Sequence, residues 1–201
     1  MANIRTVVVA DGVDIVGKNA FGGCTELEKV TFADSVRLID NSAFYGCEAL
    51  EDMVLPGNLR RIGSGAFYGC ESLASVIVPD TVTHVGSGAF MNCRKLVSVT
   101  LSSAMTGIEQ WTFSGCPRIA SVVIPENVET IGVGAFYGCG SLTDVTLGGR
   151  TVTVEKNAFR VCTKLATVHF RGDVSAFDTE VKIQSGNEKL TDAVIVAAES
   201  F

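Results

Sequence analysis

Seven cysteines, two histidines and a few neighbouring carboxylates are the residues of this 201-residue sequence that could do chemistry. A thiolate can serve as nucleophile, redox centre or metal ligand, provided it is exposed and its charge is stabilised. Cys24, Cys47, Cys70, Cys93, Cys116, Cys139 and Cys162 each stand 23 residues from the next. None forms a C-x-x-C pair and the number is odd, so neither a zinc knuckle nor a compact disulfide framework fits. His84 and His169 lie 85 residues apart, at different places within the 23-residue period, and are not expected to share a reaction centre. Glu48 and Glu71 could be named as paired carboxylates. Their column continues to Arg94, however, and reads as solvated surface charge. No H-E-x-x-H, phosphate-cradling glycine loop or G-x-S-x-G occurs. No catalytic residue, metal ligand or cofactor is therefore expected, and the chain is not read as an enzyme.

The spacing of the cysteines says more than their chemistry. A phenylalanine stands three residues before each: Phe21, Phe44, Phe67, Phe90, Phe113, Phe136 and Phe159. The unit is I-G-x-x-A-F-Y-G-C-x-x-L-x-x-V-x-L-P-x-x-V-x-x, and a fixed period of this length marks a stacked repeat architecture. In a stack, equivalent positions lie about 4.8 Å apart. Parallel Cβ vectors then keep neighbouring cysteines from bonding, which predicts a column of seven buried free thiols acting as small hydrophobes.

Each unit carries L-x-x-V-x-L, whose period-two alternation predicts a short strand. Eight follow: Ile4 to Val9, Leu27 to Phe32, Leu50 to Leu55, Leu73 to Val78, Leu96 to Leu101, Ile119 to Ile124, Leu142 to Leu147 and Leu165 to Phe170. Pro56, Pro79 and Pro125 close strands by removing a donor. Ser35, Asn58, Thr81 and Asn127 come two residues after that place and can bond the turn backbone of their own or the next coil. The S-G-A-F-Y-G-C segment is expected to form one helical turn. Asn19, Ser42, Gly65, Gly88, Gly134 and Asn157 would cap it, and Gly23, Gly46, Gly69, Gly115, Gly138 and Asn92 would end it in the left-handed region. Val161 occupies that last column with a β-branched side chain, so distortion is expected there.

The repeat predicts a single solenoid over residues 1–201. Residues 1–15 form a partial first repeat, 16–170 the regular units, and 171–201 a divergent C-terminal coil that caps the stack. There, Val174 and Phe177 keep the period, Lys182 and Ser185 replace the expected phenylalanine and cysteine, and a strand at Ala193 to Val196 arrives late. Ile4 begins inside a repeat, which suggests either truncation or an end-to-end contact, with oligomerisation through the terminal coils as the consequence. A formal charge of −6 argues against a nucleic-acid partner, which a basic stripe would recognise. No segment approaches transmembrane length, and the N-terminal apolar run is too short for a signal-peptide core.

The unit resembles the BspA-like leucine-rich repeat, also called the Treponema pallidum type. Its elements recur in the same order in Ile62-Gly63, Ala66-Phe67, Cys70 and Leu73 to Pro79, and the likeness covers about residues 4 to 170. Cysteine before the strand separates it from the commoner L-x-x-L-x-L-x-x-N repeats. The resemblance implies a β-rich α/β solenoid, a right-handed superhelix with one parallel sheet on its concave face and short helical turns opposite. It also implies a non-enzymatic protein-interaction module akin to surface adhesins that bind host matrix or cell-surface proteins, at the cell surface or secreted. An intracellular protein-binding scaffold of the same fold is the alternative, favoured by the free thiols and the missing leader.

Two surfaces could carry such binding. The outward strand positions include Val54, Ile77, Thr100, Val123 and Thr146, flanked by Asp52, Ser75 and Ser98: a mildly apolar, nearly uncharged trough. β-branched residues also simply suit a parallel sheet. The second candidate is the residue after each phenylalanine, Tyr45, Tyr68, Met91 and Tyr137, types favoured at interfaces. Beside it lies Trp111, in the unit that departs most from the pattern, where Ser102, Glu109 and Thr112 also replace consensus residues. Trp111 is read as a filler for the lost alanine or as an interface anchor.

Overall fold

The computed structural model describes residues 3–198, apart from the side chain of Asp52. Each 23-residue unit forms one coil with two strands. The longer, odd-numbered strands are β1 (Thr6–Val9), β3 (Lys29–Phe32), β5 (Asp52–Met53), β7 (Ser75–Ile77), β9 (Ser98–Thr100), β11 (Ser121–Val123), β13 (Asp144–Leu147), β15 (Thr167–Phe170) and β17 (Val194–Ala197). The even-numbered strands are β2 (Ile15–Val16), β4 (Leu38–Ile39), β6 (Arg61–Ile62), β8 (His84–Val85), β10 (Gly107–Ile108), β12 (Thr130–Ile131), β14 (Val152–Val154) and β16 (Val181–Ile183). All pairings are parallel, and through β15 the register equals the sequence period, as in Ser75 opposite Ser98. The expected single sheet is thus accompanied by a second, formed where an apolar pair such as Leu59 and Ile62 follows the turn.

Alternation explains which side chains enter the core. Over one full period, from the third coil into the fourth, Ile62, Ala66, Phe67, Cys70, Leu73, Val76, Val78 and Val82 are all buried. The phenylalanines form a continuous stack, with centroids 5.2 to 5.6 Å apart from Phe21 to Phe159. One coil alone cannot bury enough surface to offset the ordering of its chain, so stability resides in such contacts between coils.

The turn segment is built differently from the predicted helical turn. Asn19, Ser42, Gly65, Gly88, Gly134 and Asn157 are not caps of extended conformation; each has φ between 56° and 62°. Local bonds such as Tyr45 N–H to Ser42 O at 3.1 Å alternate with bonds to the next coil. The latter form three files, at Ser42 to Ser64, Phe44 to Ala66 and Gly46 to Tyr68, repeated along the stack. In every file the earlier coil donates and the later one accepts, so these peptide dipoles align along the axis. The polar turn residues bond the preceding coil: Ser35 to Val13 O, Asn58 to Asp34 O, Thr81 to Gly57 O and Asn127 to Ser103 O.

The glycine column has the expected positive φ, and so does Val161 at 63°, without the predicted distortion. Cys162 N–H still reaches Phe159 O at 3.2 Å, so the register of the turn is kept at the expense of a strained residue. Val161→Gly should raise stability by about 1 kcal/mol, the relieved strain less the added unfolded-state entropy. Urea denaturation checks this, and an unchanged or lower midpoint would count against the strain.

Beyond β15 the period fails in space as well as in sequence. Val181 pairs with Val152, an offset of 29, and Val194 with Thr167, an offset of 27. The added residues form a 3-10 turn (Val174–Ala176) and α1 (Phe177–Glu180), and α2 (Glu188–Thr191) precedes β17. Phe177 keeps the period of the Ile131 and Val154 column rather than that of the phenylalanines, and it packs edge-on against Phe170 at 5.4 Å.

Candidate functional site

The thiols have most claim to chemistry. All seven cysteines are free, six are buried and Cys24 is half-buried. From Cys47 onward each thiol donates to the carbonyl of the phenylalanine in the preceding coil, at 3.1 to 3.3 Å. That partner explains why a small residue with a weak donor occupies the column. Burial pushes Cys47 and Cys162 up to about 12, and Cys70, Cys93 and Cys139 well above the ordinary thiol range. Such thiols are poor nucleophiles at neutral pH.

The histidines serve separate contacts. His84 Nδ1 lies 3.9 Å from Glu109 Oε1, and His169 Nε2 lies 3.4 Å from Asp144 Oδ1. Asp144 is held below the usual carboxylate range, first by the Thr143 hydroxyl and then by His169. Glu71 pairs with Arg94 at 3.3 Å on the exposed surface. Among the described residues no group of three or more His, Cys, Asp and Glu could hold a metal ion, and no helix is long and apolar enough to cross a membrane.

What remains is the face of the odd-numbered strands, the concave face of the solenoid. Val54, Ile77 and Val123 are exposed at 83%, 70% and 50%, values usual for charged residues rather than for branched aliphatic ones. Thr100, Ser75 and Ser98 are exposed beside them, and Thr146 is half-buried. Asp52 pairs with Lys29 through its backbone, while its side chain lies outside the described residues. Two hollows indent this face. One of about 830 Å³ is lined by Lys29, Thr31, Val54, Pro56, Ser75 and Ile77 among others. The other, about 420 Å³, is lined by Val99, Thr100, Leu101, Val123, Pro125 and Arg171 among others, and Arg171 Nη1 reaches Glu126 Oε1 at 3.3 Å. Sequence reasoning identified the columns but not the hollows, since hollows depend on where coils separate.

The second candidate column is only partly a surface. Tyr45 is 48% exposed and stacks on Tyr68 at 4.9 Å, whereas Tyr68, Met91 and Tyr137 are half-buried. The Tyr68 hydroxyl accepts from Asn92 Nδ2 at 3.1 Å. Trp111 lies over Gly134, where a Cβ would collide with its ring, and meets Tyr137 edge-on at 6.1 Å. Thr112 is buried and satisfies its hydroxyl by donating to Glu109 O at 2.7 Å. These side chains mainly roof the turns.

The family profile described as "BspA type Leucine rich repeat region" matches the chain in six copies, over residues 1–116 and 60–189. A Treponema pallidum leucine-rich repeat protein is similar at 29% identity and a TM-score of 0.74, over 99% of this chain and 88% of that one. A Bacteroides ovatus leucine-rich repeat protein shares 25% identity with a TM-score of 0.66, over 98% of this chain. A leucine-rich cell surface protein of Faecalibacterium prausnitzii shares 28% with a TM-score of 0.60, over 90% of this chain. The present chain spans 63% of the length of each of the last two. Among curated proteins none matches.

Proposed function

This chain belongs to the BspA-type leucine-rich repeat family, and from that premise we propose that it is a non-enzymatic adhesin module that binds a host matrix or cell-surface protein through its concave strand face. Leucine-rich repeats are protein-interaction folds, typically without catalysis, and their extended faces suit a macromolecular partner. The observation that carries the reading is the exposure of Val54, Ile77 and Val123 along one file, beside two hollows and few charges. An exposed file of this kind, apolar at Val54, Ile77 and Val123 and interrupted by the small Thr100, is a recognition feature. The similar Faecalibacterium prausnitzii protein is described as a cell surface protein, which supports the same location here. The seven free thiols favour, as a second reading, an intracellular scaffold of the same fold. Protease accessibility on intact cells separates the two.

The test replaces Val54, Ile77 and Val123 together by lysine. Binding to host-cell surfaces and purified matrix proteins should fall at least ~10-fold, since three charges would enter an apolar contact. The thermal melt should stay within a few degrees of the parent, because none of the three side chains is buried. Equal binding by the variant would clear the concave face of the role.

A further inference from the structure

Two interruptions of the sheets fall on opposite sides of the fifth coil, the one bearing β9 and β10. β10 pairs with β12 but not with β8, and β9 pairs with β7 but not with β11. The first sheet also stops between β5 and β7, so the breaks alternate between the sheets from the third coil to the sixth. Elsewhere the even-numbered strands are joined by bonds such as Thr83 N–H to Arg60 O at 3.1 Å and Gly86 N–H to Ile62 O at 2.9 Å. The corresponding donors of the fifth coil, Thr106 and Glu109, make no such bond to the fourth. On the other side, Lys95 N–H to Glu71 O at 3.0 Å and Val97 N–H to Ala74 O at 2.9 Å have no counterparts at Arg118 and Ala120.

The sequence supplies causes for both breaks. Glu109 replaces a glycine whose neighbours in the column sit hard against the preceding coil: a Cβ at Gly86 would meet Ser64 N at 2.5 Å, and one at Gly132 would meet Gln110 N at 2.7 Å. Asp40 and Glu155 occupy this column and keep their bonds, and Glu155 folds its carboxylate onto Val133 N–H at 3.0 Å. Glu109 instead reaches toward His84, and Gly107 beside it has little strand propensity. Pro117 precedes the second break, where its ring fixes φ and restricts Cys116 before it. In place of the ladder, side chains join the fourth and fifth coils: Asp80 Oδ1 accepts from Ser103 N and Oγ, both at 2.8 Å on the surface, and the buried Ser102 Oγ donates to Val82 O at 2.6 Å. The turn files continue unbroken, from Phe90 N–H to Thr112 O at 2.9 Å and from Phe113 N–H to Ala135 O at 2.8 Å, as does the phenylalanine stack.

We infer that the fifth coil is a hinge, about which the two halves of the solenoid bend on the pivot of the intact turn files. The β9–β11 break underlies the 420 Å³ hollow, so bending changes the width of the concave face where Thr100 and Val123 lie. The hinge lets one rigid-looking trough adjust its curvature to a partner.

Amide exchange on the full chain tests the breaks. Thr106, Glu109, Arg118 and Ala120 should exchange at least ~10-fold faster than Thr83, Gly86, Lys95 and Val97. Pro117→Glu should slow Arg118 and Ala120, and Gly107→Thr with Glu109→Gly should slow Thr106. Spin labels test the bending itself. A pair at Ile77→Cys and Val123→Cys spans the fifth coil, and its distance distribution should be broader than that of Val123→Cys with His169→Cys, which spans as many coils outside it. Equal exchange at the compared amides, or equal widths for the two label pairs, would overturn the hinge.

Discussion

Phe90→Ala should destabilise the chain by about 3 to 5 kcal/mol, the range for emptying a fully packed aromatic site. Phe90 is completely buried, stacked between Phe67 at 5.3 Å and Phe113 at 5.6 Å, with planes within 7° of parallel. Truncation removes the burial of one ring and two aromatic contacts at once. Because each coil depends on its neighbours, the cavity also weakens the coupling between the two halves of the stack. Urea unfolding should therefore lose cooperativity, with a lower apparent m-value or a second transition. Phe21→Ala is the internal control: its ring is half-buried and in the stack touches only Phe44. It should cost less than half as much and leave a single transition. Equal losses at both positions would mean that the stack is not what couples the coils.

The stack was legible because its information is redundant. Phenylalanine, cysteine and leucine recur at fixed places, and alternation in L-x-x-V-x-L assigns inward and outward positions without ambiguity. The second sheet was not legible, since its strands are two or three residues long, too short for any period to appear in Leu38-Ile39 or Arg61-Ile62. The turn was misread for a chemical reason. Asn, Ser and Gly favour both helix N-caps and the left-handed region, so residue type alone could not separate the two at Asn19, Ser42 or Gly65. Val161 shows neighbours overriding local preference: the file of inter-coil bonds holds the turn in register, and one β-branched residue bears the strain. For the candidate site, the columns were visible in sequence, but β-branched residues satisfy a sheet and a partner equally well. The hollows, and the breaks around the fifth coil, depend on how close successive coils approach. Only the departures at Gly107, Glu109 and Pro117 hinted at that spacing.

The least legible residue is the one whose loss should next most damage the fold. Asn187 belongs to no repeat column, yet it is almost fully buried and closes the stack. Its Oδ1 accepts from Phe159 N–H at 2.8 Å, standing where a further coil would place a backbone carbonyl. Its Nδ2 donates to Glu155 O at 2.9 Å and Gln184 O at 2.8 Å. One side chain thus ends the central turn file and ties the terminal coil to the seventh. Asn187→Leu keeps the volume but leaves the Phe159 N–H and the Gln184 carbonyl unpaired, while Glu155 O keeps its bond from Ala158 N–H, and should cost about 3 kcal/mol, given 1 to 3 for each buried orphan partly relieved by water. The loss should be local. In a stack where each coil leans on the next, opening the last one frays the chain from that end, so Phe159 and residues 171–198 should become exchange- and protease-sensitive while coils two to four stay protected. Uniform destabilisation without selective exposure of that end would show that Asn187 contributes packing alone, and that the unidirectional turn files need no acceptor to finish them.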